Sequence, residues 1–70
     1  MLTEKQNELY EAIKEYINHY GFSPTVRDLC EIMGVKSTAT IAFGLRMLKR
    51  KGYIDYIPKR MRTIKIIKEI

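Results

Sequence analysis

Lys36, Arg46, Lys49, Arg50, Lys51, Lys59, Arg60 and Arg62 crowd the second half of the chain, and the chemistry such a run offers is neutralisation of a polyanion. Residues 36–70 hold ten basic and two acidic side chains, a net of +8. Residues 1–35 hold three basic and six acidic ones, a net of −3. The net charge of +5 is thus segregated along the chain. Double-stranded DNA is the first candidate partner, since a groove-binding protein gains affinity by releasing counterions from phosphates. Thr38 and Thr40 add hydroxyls that can donate to base edges or phosphates; the plainer reading is that Thr38 joins a helix cap and Thr40 half-packs. Phe43 can touch a thymine methyl or a second copy of the chain, or it can pack under neighbouring structure.

Other chemistries are poorly served. One cysteine and one histidine cannot make an intrachain disulfide or a four-ligand zinc site. Cys30, beside Leu29, reads as a buried thiol, and His19 as a favourable charge near a helix end. No nucleophile, base or metal set suggests an enzyme, and neither a cofactor nor a small-molecule substrate is expected. The five tyrosines read as core and edge filling rather than a stacking platform for single strands. No apolar run approaches the roughly 18 residues of a membrane span, and the N-terminus lacks the plan of a signal peptide. The expectation is a cytoplasmic, nucleoid-associated protein with no membrane partner.

The elements that must position these groups are short. Seventy residues suggest one domain, 1–70, that buries only about 60% of its unfolded surface. Thr3 and Gln6 have the spacing of a capping box, and Leu9, Ile13, Ile17 and Tyr20 make one face of a helix that Gly21 stops. Glu4, Glu8, Glu11 and Glu15 lie off that face. Phe22-Ser23-Pro24 is a link or a one-bond strand. Thr25, with Asp28, caps a second helix with Leu29, Ile32 and Met33 inward, ending at Gly34. Ser37 caps a third helix that ends at Gly52. Its core stripe is Ile41, Leu45 and Leu48, within about 60° on the helical wheel, with Ala39, Phe43, Arg46 and Arg50 almost opposite. Gly44, mid-helix, is best explained by a close helix crossing.

Tyr53–Ile57 and Thr63–Ile67 read as the strands of a hairpin, with Ile54, Ile64 and Ile66 inward and a cationic turn, Pro58-Lys59-Arg60-Met61-Arg62, between them. Lys68-Glu69-Ile70 is a tail. Three helices and a basic hairpin describe a mainly α winged helix-turn-helix. In that architecture the third helix enters the major groove and the hairpin, or wing, lies along neighbouring backbone.

Thr3-x-x-Gln6, Gly21-Phe-Ser-Pro-Thr-Val-Arg-Asp28, Gly34-Val, Ser37, Ile41, Leu45, Leu48, Lys51-Gly-Tyr-Ile54, Arg62 and Ile64-x-Ile66 carry a closer statement. Over nearly its whole length the chain resembles the N-terminal DNA-binding domain of the LexA repressors, bacterial regulators of the DNA-damage response. The resemblance implies sequence-specific duplex DNA binding, with Ser37, Ala39, Thr40, Ala42 and Phe43 facing the groove and Lys5 at the DNA backbone. The charge and position of the other residues add Thr38, Arg46 and Arg50 to the recognition helix and Arg27, Lys36, Lys59, Arg60 and Arg62 to the backbone and wing contacts. Helix 3 departs from the family pattern. Thr-Ala-Thr-Ile-Ala-Phe-Gly lacks the Arg, Asn or Gln that would pair bidentately with a purine, so the family's operator does not carry over. LexA repressors also have a C-terminal domain with a Ser-Lys self-cleavage pair that provides dimerisation; its residues are not among these seventy. The expected partner is therefore double-stranded DNA, with at most a weak homodimer on paired half-sites.

The initial Met favours a free-standing small repressor over an excised N-terminal domain. Two rival readings stand beside the repressor. One is a winged-helix protein-interaction module meeting its partner through helix 3 and Phe43. The other is a phage or plasmid replication accessory that binds DNA with modest preference. A continuous cationic face made by Lys36, Arg46, Arg50, Lys59, Arg60 and Arg62 is the mark of the DNA reader; an apolar patch rimmed by charge is the mark of the protein binder.

Overall fold

The first two helices begin where their capping boxes close. In the computed structural model, which describes residues 2–69, α1 spans Glu4–Tyr20, α2 spans Val26–Met33 and α3 spans Thr38–Arg50. Thr3 Oγ1 accepts from the Gln6 amide at 3.1 Å and Gln6 Oε1 accepts from the Thr3 amide at 3.2 Å. At α2 the same exchange joins Thr25 and Asp28, at 3.0 Å both ways. Gly21 (φ 80) and Gly34 (φ 69) end these two helices in the left-handed conformation that a side chain disfavours. Ser37 sits at the N-cap of α3, but its side chain makes no capping bond, contrary to the expected cap. Its carbonyl accepts instead from Cys30 Sγ, a weak donor at 3.8 Å.

Leu9, Ile13, Leu29, Ile41, Leu45, Leu48, Ile54 and Ile64 form the core, with Cys30 at its margin. Two residues expected inward are not. Tyr20 and Ile32 are about half exposed. Tyr20 lies in the last turn of α1, where its ring meets Tyr16, His19 and Phe22 in an exposed aromatic cluster. Ile32 lies off the side of α2 that carries the buried Leu29 and Cys30. Tyr10, by contrast, is fully buried, its hydroxyl donating to the Lys68 carbonyl at 2.8 Å.

Gly44 is where α1 and α3 cross. A Cβ there would lie 2.6 Å from Leu9 Cδ2, so the close approach expected from the sequence exists. It fixes which side of α3 turns outward.

The hairpin is shorter than its sequence suggested. Strands β1 (Ile54–Asp55) and β2 (Lys65–Ile66) pair antiparallel, Ile54 opposite Ile66 and Asp55 opposite Lys65. Beyond them side chains replace the ladder. The Ile57 amide donates to Thr63 Oγ1, and Lys59 (φ 66) and Arg62 (φ 57) are left-handed. Ile54 and Ile64 are buried and Ile66 half-buried. Phe22-Ser23-Pro24 forms no strand; Ser23 Oγ accepts the Ile64 amide at 3.0 Å instead. Lys68 and Glu69 are docked rather than a loose tail, since Glu69 pairs with Lys14 at 2.7 Å and Lys68 lies over the Tyr53 ring. Ile70 lies outside the described residues. No helix among those residues is long and apolar enough to cross a membrane.

Candidate nucleic-acid interface

With Ile41, Leu45 and Leu48 buried, the outward side of α3 is made by Ala39, Ala42, Phe43, Arg46 and Arg50, all exposed. Ser37, Thr38 and Thr40 are exposed at its start. Phe43 is 58% exposed and so does not pack under the wing or against α2. The first-turn amides of α3 lack a side-chain cap, which leaves donors of the kind that bind phosphate oxygens.

The cations divide into two sets. Lys14, Lys49 and Arg62 form ion pairs within the molecule, Lys51 Nζ donates to Gln6 Oε1 at 2.7 Å, and Lys68 lies over Tyr53. Lys5, Arg27, Lys36, Arg46, Arg50, Lys59, Arg60 and Lys65 make no ion pair among the described residues, and all eight are exposed. Seven of the side chains named from the sequence thus have their charge unspent.

A groove of about 1100 Å³ runs between α2, α3 and the wing. It brings together Arg27, Thr38, Ala42, Arg46, Lys59, Arg60 and Arg62. Ser37, Ala39, Thr40, Phe43, Lys5, Lys36 and Arg50 lie outside it. Lys49, Tyr56 and Met61 also line it and were missed as site residues. Lys49 is held there, its ammonium donating to the Tyr56 carbonyl at 2.9 Å over the Tyr56 ring. Met61, 77% exposed in the turn between the strands, carries no charge or polar group that would have marked it.

The wing turn is built by Pro58 and Lys59. The Arg60 amide donates to the Ile57 carbonyl at 3.1 Å, with Lys59 left-handed at the third position, the pattern of a type II turn with Pro at its second. This aims Lys59 and Arg60 outward.

Arg62 lines the groove as well but is also tied into the molecule. Its Nη1 lies 3.0 Å from the Ser23 carbonyl, 3.4 Å from Tyr16 Oη and 3.4 Å from Asp28 Oδ2, and its guanidinium covers the Phe22 ring. Asp28 is the hub of this cluster. The Thr25 amide first, then the Thr25 and Tyr16 hydroxyls and the Arg62 charge, hold its carboxyl below the ordinary carboxylate range. A depressed folded-state pKa contributes stability that is present above the unfolded value and lost as pH falls through the folded one. Asp28→Asn should therefore be less stable than the parent at neutral pH, and the gap should narrow below about pH 4, the ordinary value for Asp. Thermal melts across pH 2.5–7 check this; a gap constant with pH would rule it out.

The comparisons with known proteins agree with this geometry. The family model described as the LexA DNA binding domain matches residues 1–63. A LexA repressor of Caldicellulosiruptor saccharolyticus is 46% identical over 66 residues, covering 94% of this chain and 33% of that protein. A LexA repressor of Desulfatibacillum aliphaticivorans is 46% identical over 67 residues, covering 96% and 33%. One from Staphylococcus epidermidis is 38% identical over 68 residues, covering 97% and 33%. The chain thus spans about a third of the length of these curated relatives. With its three helices, its two-stranded wing and this match over nearly all of its residues, the chain belongs to the LexA DNA-binding domain family.

Proposed function

We propose that this chain reads duplex DNA as the operator-reading module of a transcriptional repressor. The carrying observation is that exposed, unpaired cations lie both on the outward side of α3, at Arg46 and Arg50, and around the groove next to it, at Arg27, Lys59 and Arg60. Helix α3 enters the major groove with Ala39, Thr40, Ala42 and Phe43 at base edges. Arg27, Arg46, Lys59 and Arg60 line the groove between α3 and the wing, where a phosphate strand passes. Lys5, Lys36 and Arg50 extend the contact along the backbone. The place of action is the cytoplasm, on the nucleoid. The chain is monomeric when dilute, and two copies gain avidity on paired half-sites.

Base reading here rests on shape and methyl contact, because this stretch of α3 offers no bidentate partner for a purine. After selection of a preferred duplex from a random pool, Phe43→Ala or Thr40→Val should cost about 1–3 kcal/mol on that duplex and little on a scrambled one, the scale of one base contact. Neither change alters charge, so the salt dependence should stay as it was. Equal weakening of both duplexes by Phe43→Ala, or of neither, removes base reading from this surface.

One observation favours a second reading. The groove lining includes Pro24, Val26, Leu45, Ile57, Met61 and Ile64, apolar surface with cations and the carboxylates Asp28 and Glu31 around it, which a protein could also occupy. A protein partner would be displaced by Met61→Lys with DNA affinity intact.

A further inference from the structure

The wing is tied to the rest of the molecule on two sides: Lys49 of α3 holds its first strand through the Tyr56 carbonyl at 2.9 Å and Asp55 at 3.5 Å, and its second strand is held at the corner between α1 and α2. Ser23, buried in the link between α1 and α2, holds the returning strand twice: its Oγ accepts the Ile64 amide at 3.0 Å, and its carbonyl accepts Arg62 Nη1 at 3.0 Å. The same nitrogen faces Tyr16 Oη on α1 and Asp28 Oδ2 in the capping box of α2. Phe22 lies under the guanidinium plane at 4.9 Å. One side chain thus touches helix 1, the link, helix 2 and the wing. Its backbone is left-handed, a conformation an Arg keeps only where its surroundings over-determine it. Lys59 and Arg60, three and two residues earlier, make no such contact, and among the described residues no other side-chain hydrogen bond or ion pair joins the turn to α2.

We propose that Arg62 is a positioning residue for DNA binding: it latches the wing to the corner between α1 and α2, and its charge acts on Asp28, Ser23 and Tyr16 rather than on phosphate. The proposal rests on the DNA-binding reading above and goes beyond it. Lys59 and Arg60 can reach a phosphate strand across the groove only while the wing keeps its angle to α3. Lys49 fixes the first strand to α3, and Arg62 fixes the turn and the second strand, so that losing Arg62 frees the turn that carries Lys59 and Arg60. A Lys cannot replace it, because an ammonium lacks the planar fork that serves several acceptors and covers a ring at once.

The test compares Arg60→Ala, Arg62→Ala, Arg62→Lys and the double variant Arg60→Ala/Arg62→Ala with the parent, titrating the selected duplex at a series of salt concentrations. Arg60→Ala should make the slope of log affinity against log salt shallower by about one, the loss of one phosphate contact. Arg62→Ala should make it shallower by about two, because the contacts of Lys59 and Arg60 go together. The double variant should bind no more weakly than Arg62→Ala alone. Arg62→Lys should behave like Arg62→Ala although it keeps its charge. In the free protein, the Ile64 amide should exchange faster in both Arg62 variants, while unchanged helical circular dichroism shows that the helices persist.

Arg62 acting directly on phosphate gives the opposite pattern: a slope change of about one for Arg62→Ala, additivity with Arg60→Ala, and rescue by Lys. That pattern overturns the latch and leaves the DNA reading standing. Unchanged Ile64 exchange in both variants also overturns it. If the parent itself shows no salt-dependent duplex binding, the DNA reading falls, a result none of the variant comparisons can mimic.

Discussion

Truncating Leu48 to Ala should cost about 2–5 kcal/mol of folding free energy, the usual range for removing a fully buried leucine. Leu48 is 0% exposed and lies on the same turn-to-turn stripe of α3 as Leu45 and Ile41, in the core that also holds Leu9 and Ile13 of α1 and Leu29 of α2. The cost has two parts. The removed methyl groups lose their transfer out of water, and the cavity left behind cannot collapse, because Gly44 already brings α1 and α3 as close as their side chains allow. Domains of ordinary size are stable by about 5–15 kcal/mol, and a small core belongs at the low end. Much of the Leu48→Ala protein should therefore be unfolded at 37 °C, and DNA binding should fall with the folded fraction. Urea unfolding followed by circular dichroism measures the loss. A cost under about 1 kcal/mol would mean that α3 is not anchored through this stripe.

Salt should govern affinity for duplex DNA more strongly than any single substitution. Eight unpaired cations are available among the described residues, and not all will meet phosphate at once. With about five phosphates neutralised, log affinity falls against log salt with a slope near −4 to −5. Raising salt from 50 to 200 mM should then weaken binding about 250- to 1000-fold. Fluorescence anisotropy with a labelled duplex is sufficient. The acidic residues of α1, Glu4, Glu8, Glu11 and Glu15, should contribute nothing to the slope, because a carboxylate neutralises no phosphate. A response weaker than tenfold over this range would leave at most about two phosphate contacts and favour a protein partner on the groove.

The helices were legible because their signals are local. Thr3-x-x-Gln6 and Thr25-x-x-Asp28 fall where capping boxes form, and the stops at Gly21 and Gly34 need only the backbone freedom of glycine. The buried stripe Ile41, Leu45, Leu48 followed from helical period alone. Period says which residues share a face, but not how far a neighbour extends along it. Tyr20 therefore read as core and is half exposed, while the hydroxyl bond that buries Tyr10 joins residues 58 positions apart and has no local signature. The wing was legible as a hairpin but not in its shape, which depends on Ser23 holding Ile64 and on left-handed Lys59 and Arg62. Charge pattern was blind in the same way. It counted Arg62 with Lys59 and Arg60, though Asp28, 34 positions upstream, already lies 3.4 Å from its guanidinium.

On α3 the residues that build the core and the three proposed to read bases are different. Ile41, Leu45 and Leu48 are buried, while Ala39, Thr40 and Phe43 are exposed. Exchanging the outer three leaves the inner three and the crossing at Gly44 untouched. Surface substitutions of this kind usually move stability by no more than about 0.5 kcal/mol. If Ala39, Thr40 and Phe43 read bases as proposed, operator preference can drift, or be redirected by substitution, without a stabilising change having to come first, and grafting another member's three outer residues should exchange one target for another.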